Sequence, residues 1–393
     1  MNIKNIGLRN IEVADTRICF IDGENGLLTY RGFNINDLVN NSTFEEVSYL
    51  LLYDELPSAS QLTEFDKRLK EARSLPKSII NSMMDRKKNA SVMDVLLTSE
   101  IMLAEYDDIN DTSKESELKR AINLIAKFPT IITTWNAIKN GREIIEADPR
   151  LSHAANFLYM LHGSKPSKEY ERIMDILLLL HAEHSFNAST FAAREVASTK
   201  AHIYASVAAA IAALSGELHG GANMKVMEAL LEIGSVDKTN EWVKEKVRKG
   251  ERIMGMGHAV YKTDDPRALI LKELSKKLSK ELNTPWYEIT RVIEETSKRE
   301  IRASKGIDIY ANVDLYSASV LYMLGIPIEL FTPVFAIGRI TGWCAHIIEE
   351  KFAEAQPKPV LYRPSAAYIG RYCGTHGCKY VPLKDRGMKE IKI

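Results

Sequence analysis

The chain has 393 residues, with 52 lysines and arginines against 52 aspartates and glutamates and a net charge of zero. That length allows two domains around a large core, while interspersed, balanced charge offers no basic stripe for a nucleic-acid partner. The longest apolar run, IYASVAAAIAAL, is about half the ~20 residues that span a bilayer, and the start, MNIKNIGLRNIEV, lacks a signal-peptide core; a soluble cytoplasmic protein without a membrane or nucleic-acid partner is expected.

Residues 17–33, RICFIDGENGLLTYRGF, predict a small β-hairpin, with Ile18, Phe20, Leu28 and Tyr30 flanking a turn-rich GENG. Helical patterns dominate from there on. FEEVSYLLLYDELP reads as an apolar helix stopped before Pro57. Further helices are predicted over 60–72, 92–105, 118–139, 151–162, 168–186 and the alanine-rich stretch 200–214. A boundary falls at HGGAN, 219–223. Amphipathic helices follow, one of them after DDP with Leu271, Leu274, Leu278 and Leu282 on one face. That segment closes near LGIP, 324–327, and an apolar helix over 332–352 comes next. With no GxGxxG, Walker motif or β/α alternation, a Rossmann fold is not expected. The expectation is an all-α fold with an N-terminal β-hairpin. Residues 1–219 begin a large helical domain, 220–324 form a small one, and 325–393 complete the large one with a C-terminal arm. Glycine-rich joints between two helical bodies suit a cleft that closes.

Of four cysteines, Cys344 lies in an apolar segment and reads as packed. Cys373 and Cys378 bracket His376 in CGTHGC, without the two further ligands a metal site needs. Either they are free thiols, or Cys19 is stapled to the C-terminal arm, a device acceptable in a hyperthermophile. Having only Gln61 and Gln356 as glutamines leans the same way, towards a hot source.

Four histidine-bearing segments carry the chemistry: HAEHSFNAST, ELHGGAN, MGMGHAVYKTDDPRA and RITGWCAH. His219 and His258 sit against glycines, which let the backbone approach a ligand. Asp265 and Pro266 read as N-cap and first helical residue. Arg267 then occupies the first turn, the wrong end of the dipole for a cation unless an anion binds there; a surface arginine paired with an acid is the alternative. Arg339 has no acid within a helical turn, so an acid from elsewhere or a bound carboxylate must satisfy it. His346 reads as a packed helix residue. Asp314 precedes an apolar helix, as either an N-cap or a general base made more basic by desolvation. His181 and His184, three apart, share a helical face; a metal pair there lacks the HExxH context, and His184 reads better as a substrate hydrogen-bond donor.

These segments, with NVDLYSA, FAIGRITGWCAH and RPSAAYIG, stand in the order found in citrate synthases, and the resemblance covers nearly the whole chain. It implies an almost wholly helical homodimer whose domains close over oxaloacetate and then acetyl-CoA, without a metal or other cofactor. It implies that His219 donates to the thioester carbonyl, His258 polarises the ketone of oxaloacetate, and Asp314 removes a methyl proton. Arg267, Arg339 and His184 would hold the oxaloacetate carboxylates, with Arg363 of the arm lent across the interface, and Lys262 and Lys305 would contact coenzyme A. Three departures stand out: KGIDIYAN where KGIYPN is common, which bears on Lys305; Ser365 in place of a second arginine in the arm; and Glu183 where aspartate is common. The same machinery serves 2-methylcitrate synthases with propionyl-CoA, and a non-catalytic helical scaffold is the reading from another class.

Overall fold

A computed structural model describes residues 7–8 and 11–386. Among these residues sixteen α-helices surround one core, with a three-stranded antiparallel sheet of Cys19–Asp22, Leu27–Tyr30 and Phe33–Asn34 near the start. The hairpin register pairs Cys19 with Tyr30 and Asp22 with Leu27, which turns Ile18, Leu28 and Tyr30 into the core and leaves Phe20 largely exposed.

Helix starts follow the short polar residues of the sequence. Ser58 and Gln61 form a reciprocal capping box for Ala59–Glu71. Ser113, Ser152, Ser167, Asn187 and Asp265 each accept a backbone N–H of their own helix. The alanine-rich stretch becomes Ile203–Leu214. The apolar segment near the end becomes Phe331–Lys351, nearly all of it buried. That helix is the axis of the large body. It packs against Phe44–Tyr53, Lys114–Lys139, Lys168–His181, Ala188–Ser198 and Ile203–Leu214.

One helix ends earlier than its pattern predicts. The 168–186 stretch stops at His181, so His181 and His184 do not share a helical face. Two glycines of the axial helix account for this. A Cβ on Gly338 would lie 2.6 Å from the Leu178 carbonyl, and one on Gly342 2.3 Å from that of Ala182. Their absence lets the two helices touch backbone to backbone, and the Gly342 N–H donates to Ala182 at 3.1 Å. The Tyr30 hydroxyl, from the hairpin, donates to the Glu183 carbonyl at 2.9 Å. The chain leaves the helix into this prepared cradle.

The five helices from Ala222 to Met323 pack chiefly on one another. Two compact units are separated at the end of the chain, one running to Val360 and one beginning at Leu361. In the second, Cys373 is disulfide-bonded to Cys378. Cys19 is buried and free, which corrects both the free-thiol reading of the CGTHGC pair and the long-range staple. The shortest loop closure won: the bond needs only a six-residue ring. No helix among the described residues is long and apolar enough to cross a membrane.

Candidate active site

A cavity of about 730 Å³ is walled by His184, His219, His258, Arg267, Asp314 and Arg339, with Cys19, Phe20, Phe186 and Phe335 as apolar lining. Six of the nine expected site residues therefore converge. They come from five places in the sequence.

His258 leads a loop tied down by the Met256–Ala311 bridge, by Gly257 N–H donating to Tyr310 and by Asn312 N–H donating to Gly255. The same Asn312 caps the helix Val313–Met323. It holds Asp314 as the second helical residue, accepting its N–H at 3.0 Å. The capping alternative for Asp314 thus falls to Asn312, and the Asp314 carboxylate is left without a hydrogen bond among the described residues. Burial raises its pKa to about 6, against the opposing pull of Arg267.

The proton positions on two imidazoles follow from what faces them. His258 Nδ1 accepts the Val260 and Tyr261 N–H groups at 2.9 and 3.1 Å, so its proton sits on Nε2. His219 Nε2 accepts the Ser189 N–H at 3.2 Å. The Ser189 hydroxyl, 2.9 Å from the same nitrogen, donates to Asn187 Oδ1. The His219 proton is therefore on Nδ1. Ser189 N–H belongs to the first turn of Ala188–Ser198, the positive end of a helix dipole, which disfavours a charged ring. Burial, then Arg267, pushes the His258 ring down to about 4, and burial, then Arg339, does the same for His219. His184, its Nε2 3.3 Å from the Tyr261 hydroxyl, is held well below the usual imidazole range by burial and then Arg267. Three neutral rings, two with assigned donors, face one cavity.

The two arginines are treated differently. Arg267, buried, donates from Nε and Nη2 to both oxygens of Asp265 at 3.0 and 2.7 Å. Asp265 is also the cap of that helix, so the pairing resolves the dipole conflict; the acid is at hand, but not at the surface. Arg339 donates from Nε to the His181 carbonyl at 2.7 Å and stacks over Phe335. It forms no ion pair among the described residues. Burial lowers its pKa to about 10, with Glu183 the leading opposing charge.

Lys262 and Lys305 do not line the cavity. Lys262 Nζ pairs with Glu24 across from the hairpin turn, and Lys305 is exposed at the end of the helix Trp286–Lys305. Arg363 is exposed on the arm. His346 is fully buried and bonded to Glu183 and Arg194, which agrees with its packed reading. The sequence reasoning missed Ser189, Tyr261 and Asp265 as groups that set proton positions and charge. The NAST pattern, an Asn cap two residues before Ser189, was the available signal for the first.

The family described as "Citrate synthase, C-terminal domain" matches residues 7–365. A citrate synthase of Deinococcus radiodurans is 41% identical over 382 residues, 97% of this chain and 98% of its own. A 2-methylcitrate synthase of Shewanella oneidensis is 37% identical over 381 residues, covering 97% of each. The solved structure of the citrate synthase of Thermoplasma acidophilum, a ternary complex with carboxymethyl coenzyme A and oxaloacetate, matches with a TM-score of 0.89 at 31% identity over 97% of this chain and 99% of that one. On these grounds the chain belongs to the citrate synthase family of acyltransferases.

Proposed function

We propose that this enzyme condenses acetyl-CoA with oxaloacetate and water to give citrate and coenzyme A. The observation that carries the reading is a cavity in which a buried guanidinium has no ion-pair partner among the described residues. Arg339 faces it without an ion pair, beside three neutral imidazoles and an acid of raised pKa. A small dicarboxylate supplies the missing ion-pair partner.

In this reading Arg339, Arg267 and His184 hold the oxaloacetate carboxylates. Asp314 takes a proton from the acetyl methyl group, a weak acid that a carboxylate alone deprotonates poorly. The Nδ1–H of His219 stabilises the enolate oxygen as it forms, a contribution on the order of 3–4 kcal/mol for a well-placed donor. The enol carbon then bonds to the ketone carbon as the C=O π bond opens; the new alkoxide, hydrogen-bonded by Nε2–H of His258, takes up one proton, equal to the one Asp314 removed and must release, and becomes the hydroxyl of citryl-CoA. Water attacks the thioester carbon of citryl-CoA, the C–S bond breaks, and coenzyme A leaves as the thiol. Hydrogen-bond donors and guanidinium groups provide the electrostatic stabilisation, so the scheme calls for no metal or other cofactor.

The finer parts of the proposal go with it. Residues 1–219 and 325–393 form a large domain and 220–324 a small one that closes over the substrates. The chain works as a cytoplasmic homodimer from a hot source, and Arg363 is lent to the neighbouring subunit. Lys262 and Lys305 meet the coenzyme A phosphates, and for Lys262 this requires exchanging Glu24 for the ligand.

A 2-methylcitrate synthase activity is the second reading, favoured by the Shewanella relative. One methylene is worth only ~1–3 kcal/mol of discrimination. Thiol release from acetyl-CoA and from propionyl-CoA, each with and without oxaloacetate, tests both. Release from acetyl-CoA that depends on oxaloacetate is expected. A larger kcat/KM for propionyl-CoA would favour the second reading, and no release from either would leave a scaffold.

A further inference from the structure

A buried polar chain runs behind the cavity wall and takes no part in the chemistry above. Glu349 and Glu350 hold Arg194, with Arg194 Nη1 2.6 Å from Glu349 Oε2 and Nη2 2.7 Å from Glu350 Oε2. Arg194 Nη1 also donates to His346 Nδ1 at 3.0 Å. A guanidinium only donates, so His346 Nδ1 is an acceptor and the ring proton lies on Nε2. Nε2–H donates to Glu183 Oε1 at 3.0 Å. Glu183 Oε1 in turn accepts the N–H of Ser185.

The far end of this chain is the site itself. Ser185 adopts a left-handed backbone, φ +52°, which is costly for a residue with a Cβ and persists where surrounding bonds over-determine it. His184 lies between Glu183 and Ser185. Asn187, two residues on, caps the helix whose Ser189 amide fixes the proton of His219. Phe186, which lines the cavity, packs edge-on against His346 with ring centroids 5.5 Å apart, and the Arg194 guanidinium covers the Phe186 ring at 4.6 Å. One buried imidazole therefore grips the loop from two sides, through a charge-assisted hydrogen bond and through an aromatic face.

We propose that His346 is a positioning residue for oxaloacetate binding. Through Glu183 and Phe186 it holds residues 183–187 in the one backbone conformation that aims His184 into the cavity and seats Asn187 at the helix start. The assignment rests on the reading of the cavity as an oxaloacetate site.

The test is steady-state kinetics of His346→Ala, His346→Gln and a control in the same helix, Ile348→Ala, alongside the wild type. Glutamine keeps a donor for Glu183 and an acceptor for Arg194. His346→Ala is expected to raise the KM for oxaloacetate about tenfold or more while the KM for acetyl-CoA moves less than about twofold. His346→Gln is expected to return the oxaloacetate KM to within about threefold of wild type. Ile348→Ala, matched for thermal stability, is expected to leave it unchanged. Glu183→Ala cuts the same chain one link nearer the loop and gives the same split, and it stands in if His346→Ala does not accumulate as folded protein. The inference is overturned by an unchanged oxaloacetate KM in both alanine variants, by a glutamine variant no better than alanine, or by an equal rise in Ile348→Ala. A wild-type protein that releases no thiol in the presence of oxaloacetate would instead overturn the functional reading beneath it.

Discussion

Arg267 and Arg339 are buried to the same degree, yet one is neutralised and the other is not. Arg267 is clamped on two nitrogens by Asp265, while Arg339 has a carbonyl and an aromatic ring. The contrast separates two tasks that a list of anion-binding arginines merges. A cation already paired is a fixed fork, its direction set by the acid that holds it. A cation left unpaired in a buried wall is an open demand for a carboxylate, which in the proposed reading the substrate satisfies. The fold carries the cost of that demand in the empty state, because burying an unpaired charge is unfavourable.

The base flanked by these two charges gives the largest expected effect. Asp314→Ala is expected to lower kcat at least ~10²-fold with little change in fold. Near-normal turnover would remove Asp314 from its role, and with it the reason for placing two cations near it. Next comes stability without ligand. Arg267→Met leaves Asp265 buried and unpaired, and about 3–5 kcal/mol of unfolding free energy is expected to go. Arg339→Met leaves no such orphan, so its denaturant midpoint should hold or rise. Equal losses in the two variants would break the distinction.

Oxaloacetate binding should follow the opposite order from stability. Arg339→Met is expected to raise the KM for oxaloacetate on the order of 10²-fold, the scale of a lost buried charge-assisted contact. Arg363→Ala should raise it less, about tenfold. If dimer stability alone changed and KM did not, a shared site would be excluded. The smallest effect is in pH dependence. Asp314 must be ionised to act as a base, so kcat/KM for oxaloacetate should fall by a factor of ten per unit below about pH 6. Both arginines favour the ionised form, Arg267 more strongly. Removing either should move that limb to higher pH, and Arg267→Met should move it further.

What the sequence disclosed, and what it withheld, divides along the same physical line. Histidines set against glycines, an arginine behind an Asp-Pro cap and an arginine with no local acid were legible because each anomaly is contained in a few residues. The hairpin and most helix starts were legible for the same reason, since a serine or asparagine cap acts within its own turn. The early stop at His181 was not, because it depends on Gly338 and Gly342, over 150 residues away, which let the axial helix meet the helix end backbone to backbone. His346 read correctly as packed, but its partners Glu183 and Arg194 lie about as far off, and no periodicity reports such a pairing. The Cys373–Cys378 bond was missed for the opposite reason: it is local, and only free thiols and a long-range staple were weighed. The roles of Lys262, Lys305 and Arg363 came from the resemblance alone. Neither lysine lines the cavity.

The proton on the ring of His258 is placed by the main chain of Val260 and Tyr261, not by a neighbouring side chain. Any of the amino acids that carry an amide hydrogen supplies the same donor at position 260; proline alone does not. The tautomer can therefore survive wide sequence drift around it, and its presence in distant relatives would leave little trace in which residues are kept.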